Sequence, residues 1–262
     1  MKKIMIRSVW LLALGFVCLQ EMYLEGAAEG FSPGSKDSSV FYKITTKEGV
    51  TGYLLGSVHK GFDKPFYDRM KRVLKPYVEK CTDFFPEVGR SLISSPSHPE
   101  GGVETLVSQL LLERKDHNIF SLDTLLICNK MKAFHRNLLL RFSKNQRDCF
   151  DLIQKQGLSI IIQNYKNGVA IHLENLNYAL SCLKGLNLSL FQSIEQLSNE
   201  KPYDISLGGR NELWMKRLGV YSFSKPFFII CGAAHLPGDK GMVSLLKQEG
   251  FVLEPIVLWG KK

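Results

Sequence analysis

The sequence predicts an α/β (α+β) protein: a central mixed β-sheet built from N- and C-terminal segments, with a large helical middle. Three observations carry this. Short apolar runs bounded by turn residues fall at 40–55 and again at 226–258. Between about residues 103 and 222, apolar positions recur at helical spacing. The last segment reads strand, loop, helix, strand, which is normally a parallel right-handed crossover.

The first 28 residues stand apart. Lys2, Lys3 and Arg7 precede an apolar run from Val9 to Leu19, and Gly26, Ala27 and Ala28 follow. That order reads as a secretory signal peptide. The run falls short of the roughly 20 residues of a membrane span. Uncleaved, it would serve as an N-terminal anchor. The expected product is an exported protein, periplasmic or secreted, with one domain over 29–262.

Length and composition agree. The chain has 262 residues, 45 % apolar and 23 % charged, which excludes disordered and fibrous classes. Five Cys remain after the signal: Cys81, Cys128, Cys149, Cys182 and Cys231. Their odd number and the lack of Cys-x-x-Cys argue against a disulfide framework or thiolate zinc site. They read as small apolar fillers.

In the domain, Val40 to Thr46 and Thr51 to Leu55 read as strands joined at Lys47-Glu48-Gly49. Asp63-Lys64-Pro65 is a helix start, and Phe66, Met70, Val73, Leu74 and Tyr77 give that helix an apolar face. Cys81 to Val88 is a strand ending near Glu87, with Pro86 marking an edge, a bulge or the strand end. Val103, Leu106, Val107, Leu110 and Leu111 form one helical stripe. Leu122 to Phe142, Phe150 to Tyr165, Val169 to Leu183, Leu190 to Leu197 and Asp204 to Leu218 read as further helices. Pro226 to Cys231 is a strand buried on both faces. Gly241 to Glu249 is a helix stopped by Gly250, and Phe251 to Leu258 is the last strand.

Two corners carry the chemistry. Tyr53-Leu54-Leu55-Gly56-Ser57-Val58-His59 is an apolar strand followed by Gly-x-x-His, and Ile229 to His235 repeats it. Ligand sites of open α/β sheets lie beyond the carboxyl ends of strands. Gly allows a sharp turn there, and imidazole is both a metal ligand and a base near neutral pH. Were the two strands neighbours, His59 and His235 would converge, with Glu87 at the same rim. His98, His117, His135 and His172 read as surface or cap residues. No His-x-x-x-His pair, phosphate loop or Gly-x-Ser-x-Gly elbow is present, which argues against zincins, P-loop enzymes and α/β-hydrolases.

These corners resemble those of the TraB/PrgY/GumN family, which includes the TIKI metalloproteases. Gly56, His59, Glu87, Arg210, Asn211, Gly232, His235, Leu236 and Gly238 stand where the family has its motifs. Ser57 replaces the usual Thr, and Asp123 stands where a Glu is usual. The resemblance implies a metal-dependent, peptidase-like hydrolase. His59, His235 and Glu87 would be metal ligands, with Glu87 alternatively the base that activates water. Arg210 would stabilise an oxyanion or hold a carboxylate. Gly56, Gly232, Asn211 and Asp123 would be supporting residues. Manganese, cobalt and zinc all suit such donors.

Two alternatives remain: a non-catalytic haem- or ligand-binding protein, and a peptide-sequestering envelope protein. The expected partners are a peptide or small-molecule substrate. The net charge of +9 includes six Lys or Arg and no acid between Lys130 and Arg147. That run reads as a solvated basic face or a contact with an anionic membrane surface. Nucleic acid is not expected, because no binding motif is present.

Overall fold

The structure is a computed structural model, and it describes residues 39–58, 63–88, 102–114, 116–144, 147–148 and 201–258. The expected signal at 1–28 lies outside them, as do the expected helices over 150–200 and His59, His98, His172, Cys149 and Cys182.

Strands β1 (Phe41–Thr45) and β2 (Thr51–Ser57) form a hairpin, with Phe41 opposite Leu55 and Thr45 opposite Thr51. Gly49 makes the turn at φ 82°. Helix α1 (Lys64–Val78) starts where expected: the Asp63 side chain accepts from the Phe66 N–H at 2.9 Å. It leads to β3 (Asp83–Pro86), so Pro86 is the strand's last residue. Helix α2 (Val103–Leu112) buries the whole expected stripe from Val103 to Leu111.

A short strand then appears that helical periodicity did not announce, β4 (Asn118–Ile119). The extended backbone runs on past it. The N–H groups of Asn118, Phe120, Leu122 and Asp123 donate to the carbonyls of Thr82, Phe84, Pro86 and Glu87 at 2.8 Å each. Six residues thus line the edge of β3 and deliver Asp123 beside Glu87. Helix α3 (Leu125–Arg141) follows, capped by Thr124. A 3-10 turn (Tyr203–Ile205) precedes α4 (Leu207–Gly219), capped by Ser206. Strand β5 (Phe227–Gly232), a 3-10 turn (Ala233–His235), α5 (Met242–Gln248) and β6 (Val252–Pro255) complete the described chain. Gly250 ends α5 at φ 85°.

The sheet order is β4-β3-β5-β2-β1-β6. β5 pairs in parallel with both β3 and β2, and β1 runs antiparallel to β2 and β6. The sheet is therefore mixed and drawn from both ends of the chain. β5 and β6 run the same way, as a crossover unit should, with β2 and β1 between them. Alternation along β5 sends Phe228 and Ile230 to one face and Phe227, Ile229 and Cys231 to the other. The first face packs on α1 and α2, and the second on α4 and α5. Cys81 and Cys231 are buried fillers, and burial pushes the Cys81 thiol up to about 12. No helix among the described residues is long and apolar enough to cross a membrane.

One reading needs correction. His135 is not a surface or cap residue. It follows Ile127 and Met131 at four-residue steps on the buried face of α3 and is 2 % exposed. Its Nδ1 lies 2.8 Å from the Met131 carbonyl, and its Nε2 has no hydrogen-bond partner among the described residues. Burial pulls its pKa down to about 4. The folded chain thus refuses a proton that the unfolded chain takes up below about 6.5, and stability falls as pH drops from there towards 4. The loss at pH 4 is roughly 3 kcal/mol. His135→Leu should be near neutral at pH 8 and clearly stabilising at pH 4.5 in urea unfolding. Parallel pH profiles for the two proteins would refute this.

Candidate functional site

β2 and β5 are neighbours, with Gly56 beside Cys231 and Ser57 beside Gly232. The strands that begin the two Gly-x-x-His corners therefore end side by side at their carboxyl ends. The glycine of the first corner serves close approach rather than a turn, since it lies inside β2. A Cβ on Gly56 would meet Leu236 Cδ1 at 2.6 Å and Ala233 Cα at 3.0 Å. The second corner folds back over it as the 3-10 turn that carries His235.

Four elements deliver polar side chains to one buried cluster. Glu87 follows β3, its N–H bonded to the Ile230 carbonyl of β5. Asp123 arrives on the extended run past β4. Arg210, Asn211 and Trp214 come from α4, and His235 from the turn after β5. Arg210 is 1 % exposed and His235 0 %.

Arg210 joins them. Its Nε and Nη2 donate to the two oxygens of Asp123 at 3.3 and 2.7 Å. Nη2 also donates to Glu87 Oε1 at 2.5 Å, and Nη1 donates to His235 Nε2 at 3.1 Å. The guanidinium lies over Trp214, 4.9 Å from the ring centroid. Four of its five N–H groups thus have acceptors. The second Nη1 hydrogen, next to the imidazole, has none among the described residues.

The partners are fixed in turn. Glu87 Oε2 accepts the Gly232 N–H at 2.9 Å. Trp214 Nε1 donates to Asp123 Oδ1 at 2.7 Å, and its ring packs 4.3 Å from that of His235. Asn211 donates through Nδ2 to the carbonyls of His235 and Lys240, so its Oδ1 faces His235 Nδ1 at 2.6 Å. An amide oxygen only accepts and a guanidinium only donates. In this arrangement the His235 ring is therefore neutral, with its proton on Nδ1 and its lone pair on Nε2.

The charges do not balance locally: two carboxylates face one guanidinium. Burial raises the Asp123 pKa, Arg210 opposes the rise, and Glu87 adds to it; the net shift is upward. Burial alone would lower Arg210, but the Glu87 and Asp123 charges outweigh it and hold the guanidinium above its ordinary range.

The expected metal finds no cradle in the described residues. Both Glu87 oxygens and both His235 nitrogens are engaged by Arg210, Gly232 and Asn211. No group of three or more His, Cys, Asp or Glu among the described residues is gathered to hold an ion. His59, the third expected ligand, lies outside them. Trp214 and Glu104 are the residues that the sequence reading did not assign. Trp214 is four residues from Arg210 on one helix face. Glu104, in the first turn of α2, accepts from Ser57 Oγ at 2.5 Å and braces the first corner.

The TraB/PrgY/gumN family model matches residues 99–255, more than half of the chain, and the chain belongs to that family. The match spans Asp123, Arg210, Asn211, Gly232 and His235; Gly56, His59 and Glu87 lie before it. No curated protein and no solved structure matches the chain.

Removing Arg210 strands two buried carboxylates. Arg210→Met should cost about 3–5 kcal/mol in denaturant unfolding. Trp214→Phe, which deletes one bond to Asp123, should cost about 1–2 kcal/mol. A near-neutral Arg210→Met would show that the cluster does not hold these elements together. Gly56→Ala should cost roughly 1–3 kcal/mol through its collision with Ala233 and Leu236. An unchanged Tm would contradict the packing at this corner.

Proposed function

We propose that this TraB/PrgY/gumN family member is an exported hydrolase of the TIKI-like, peptidase type, acting on a peptide or small acyl substrate. The observation that carries the reading is the spare Nη1 hydrogen of Arg210 beside the lone pair of a neutral His235. A substrate carbonyl oxygen that accepts this hydrogen meets a desolvated, permanent positive charge, the arrangement that favours a developing oxyanion. The base step also requires the Nη1 bond to His235 Nε2 to break as the guanidinium turns towards the substrate, which exposes the Nε2 lone pair. It then takes a proton from the attacking water as the water oxygen bonds to the carbonyl carbon. The proton passes on to the leaving amine or alcohol as the acyl bond breaks. Glu87 Oε1, 3.9 Å from Nε2, would stabilise the transient imidazolium. Asn211 keeps the ring in the required tautomer throughout. The family resemblance adds His59, from the neighbouring corner, as a further acid, base or ligand.

The test is turnover of a fluorogenic peptide library and of p-nitrophenyl esters by the purified protein. His235→Ala and Glu87→Gln should each lower kcat/KM by about 10²–10⁴ while circular dichroism stays native. Asn211→Asp should shift the pH profile of kcat/KM, because a carboxylate at Nδ1 favours imidazolium. Turnover that survives both His235→Ala and Glu87→Gln would sink this reading. No turnover, together with a Soret band on adding haem, would favour the binding-protein alternative.

A further inference from the structure

Acceptors in the cluster converge on the Arg210 guanidinium from three elements. Glu87 Oε1 and Asp123 Oδ2 lie 2.5 and 2.7 Å from Nη2, and His235 Nε2 lies 3.1 Å from Nη1. Two carboxylates and an imidazole lone pair are also a donor set that manganese, cobalt or zinc accepts. The guanidinium occupies their common space and holds them at hydrogen-bond distances, longer than the roughly 2.0–2.2 Å of metal–ligand bonds. Arg210 cannot lose its charge at any physiological pH, so the carboxylates always have a cation between them.

We propose that Arg210 is the resident cation of this site: it fills a latent divalent-metal site made by Glu87, Asp123 and His235, which accepts a metal only when the guanidinium is removed. The geometry needed is modest. Glu87 Oε1 and His235 Nε2 are 3.9 Å apart and would close to about 3.4 Å to share one tetrahedral ion. Removing Arg210 takes the guanidinium out of the space between these acceptors. It also leaves two buried carboxylates that gain from binding a cation. Trp214 would still orient Asp123, and Gly232 would still orient Glu87. The inference does not rest on hydrolysis being the activity, because its readout is metal content.

The experiment loads the purified protein with Mn²⁺, Co²⁺ or Zn²⁺ in turn, desalts it and measures metal by mass spectrometry, with Tm recorded in parallel. Wild type should hold no ion that depends on Glu87 or His235. Arg210→Ala should take up about one equivalent and gain roughly 5 °C or more in Tm on adding metal. Adding Asp123→Asn to Arg210→Ala should abolish both gains. A wild-type equivalent that disappears in Glu87→Gln or His235→Ala would overturn the proposal, as would a folded Arg210→Ala that binds nothing. Should Arg210→Ala fail to fold, the larger neutral variant Arg210→Gln is loaded in its place, and a folded Arg210→Gln that binds nothing overturns the proposal.

Discussion

The fork of Arg210 is the interaction on which the arrangement at the sheet edge depends. A single buried guanidinium connects the end of β3, the run past β4, helix α4 and the turn after β5. Its worth does not lie in net stability. A buried ion pair of this kind roughly breaks even against a well-packed apolar substitute. What it fixes is relative position, because a planar fork satisfies its acceptors only in a narrow range of geometries. Lys in the same place would carry the charge without that directional demand.

The sheet topology makes such a convergence available. β5 enters between β2 and β3, so the carboxyl ends of three parallel strands lie side by side. The fourth contribution comes from backbone that the chain never folds into a helix. From Asn118 to Asp123 it spends its N–H groups on the carbonyls of Thr82 to Glu87, and so Asp123 sits one ladder step from Glu87. Asp123 then receives Trp214 Nε1 and Arg210 from one face of α4. The second Gly-x-x-His corner packs so tightly on the first that Gly56 has no space for a Cβ.

Much of this was legible in the residues. Strong local patterns, such as the β5 run, the α2 stripe and the Asp63 cap, translate directly into elements because one period dominates each. Arg210, Asn211, Glu87, Asp123, Gly232 and His235 are named by the family resemblance, and the fold gathers them. What the sequence hid is non-local. β4 is two residues long and depends on β3 rather than on its own propensity. His135 reads as a surface or cap residue of an amphipathic helix; only its four-residue spacing from Ile127 and Met131 marks it as inward. Above all, residue types announce a metal-ligand set without saying which lone pairs the protein itself consumes. Only the geometry shows Arg210 and Asn211 on the nitrogens of His235.

That distinction bears on the chemistry. A metal ion does two things for hydrolysis: it supplies positive charge, and it acidifies a water bound directly to it. A guanidinium supplies the first and not the second. On the proposed reading, with Arg210 as the cation, the base would be the neutral, Nδ1-protonated imidazole held by Asn211. The local excess of carboxylate over guanidinium works in the same direction. It opposes ionisation of Asp123, which is pushed up by burial and by Glu87, and in the proposed reaction it would favour a proton arriving on His235. Glu87 and His235, named as ligands by the family resemblance, and Asp123, named as a supporting residue, are thus joined through the arginine into one hydrogen-bonded cluster.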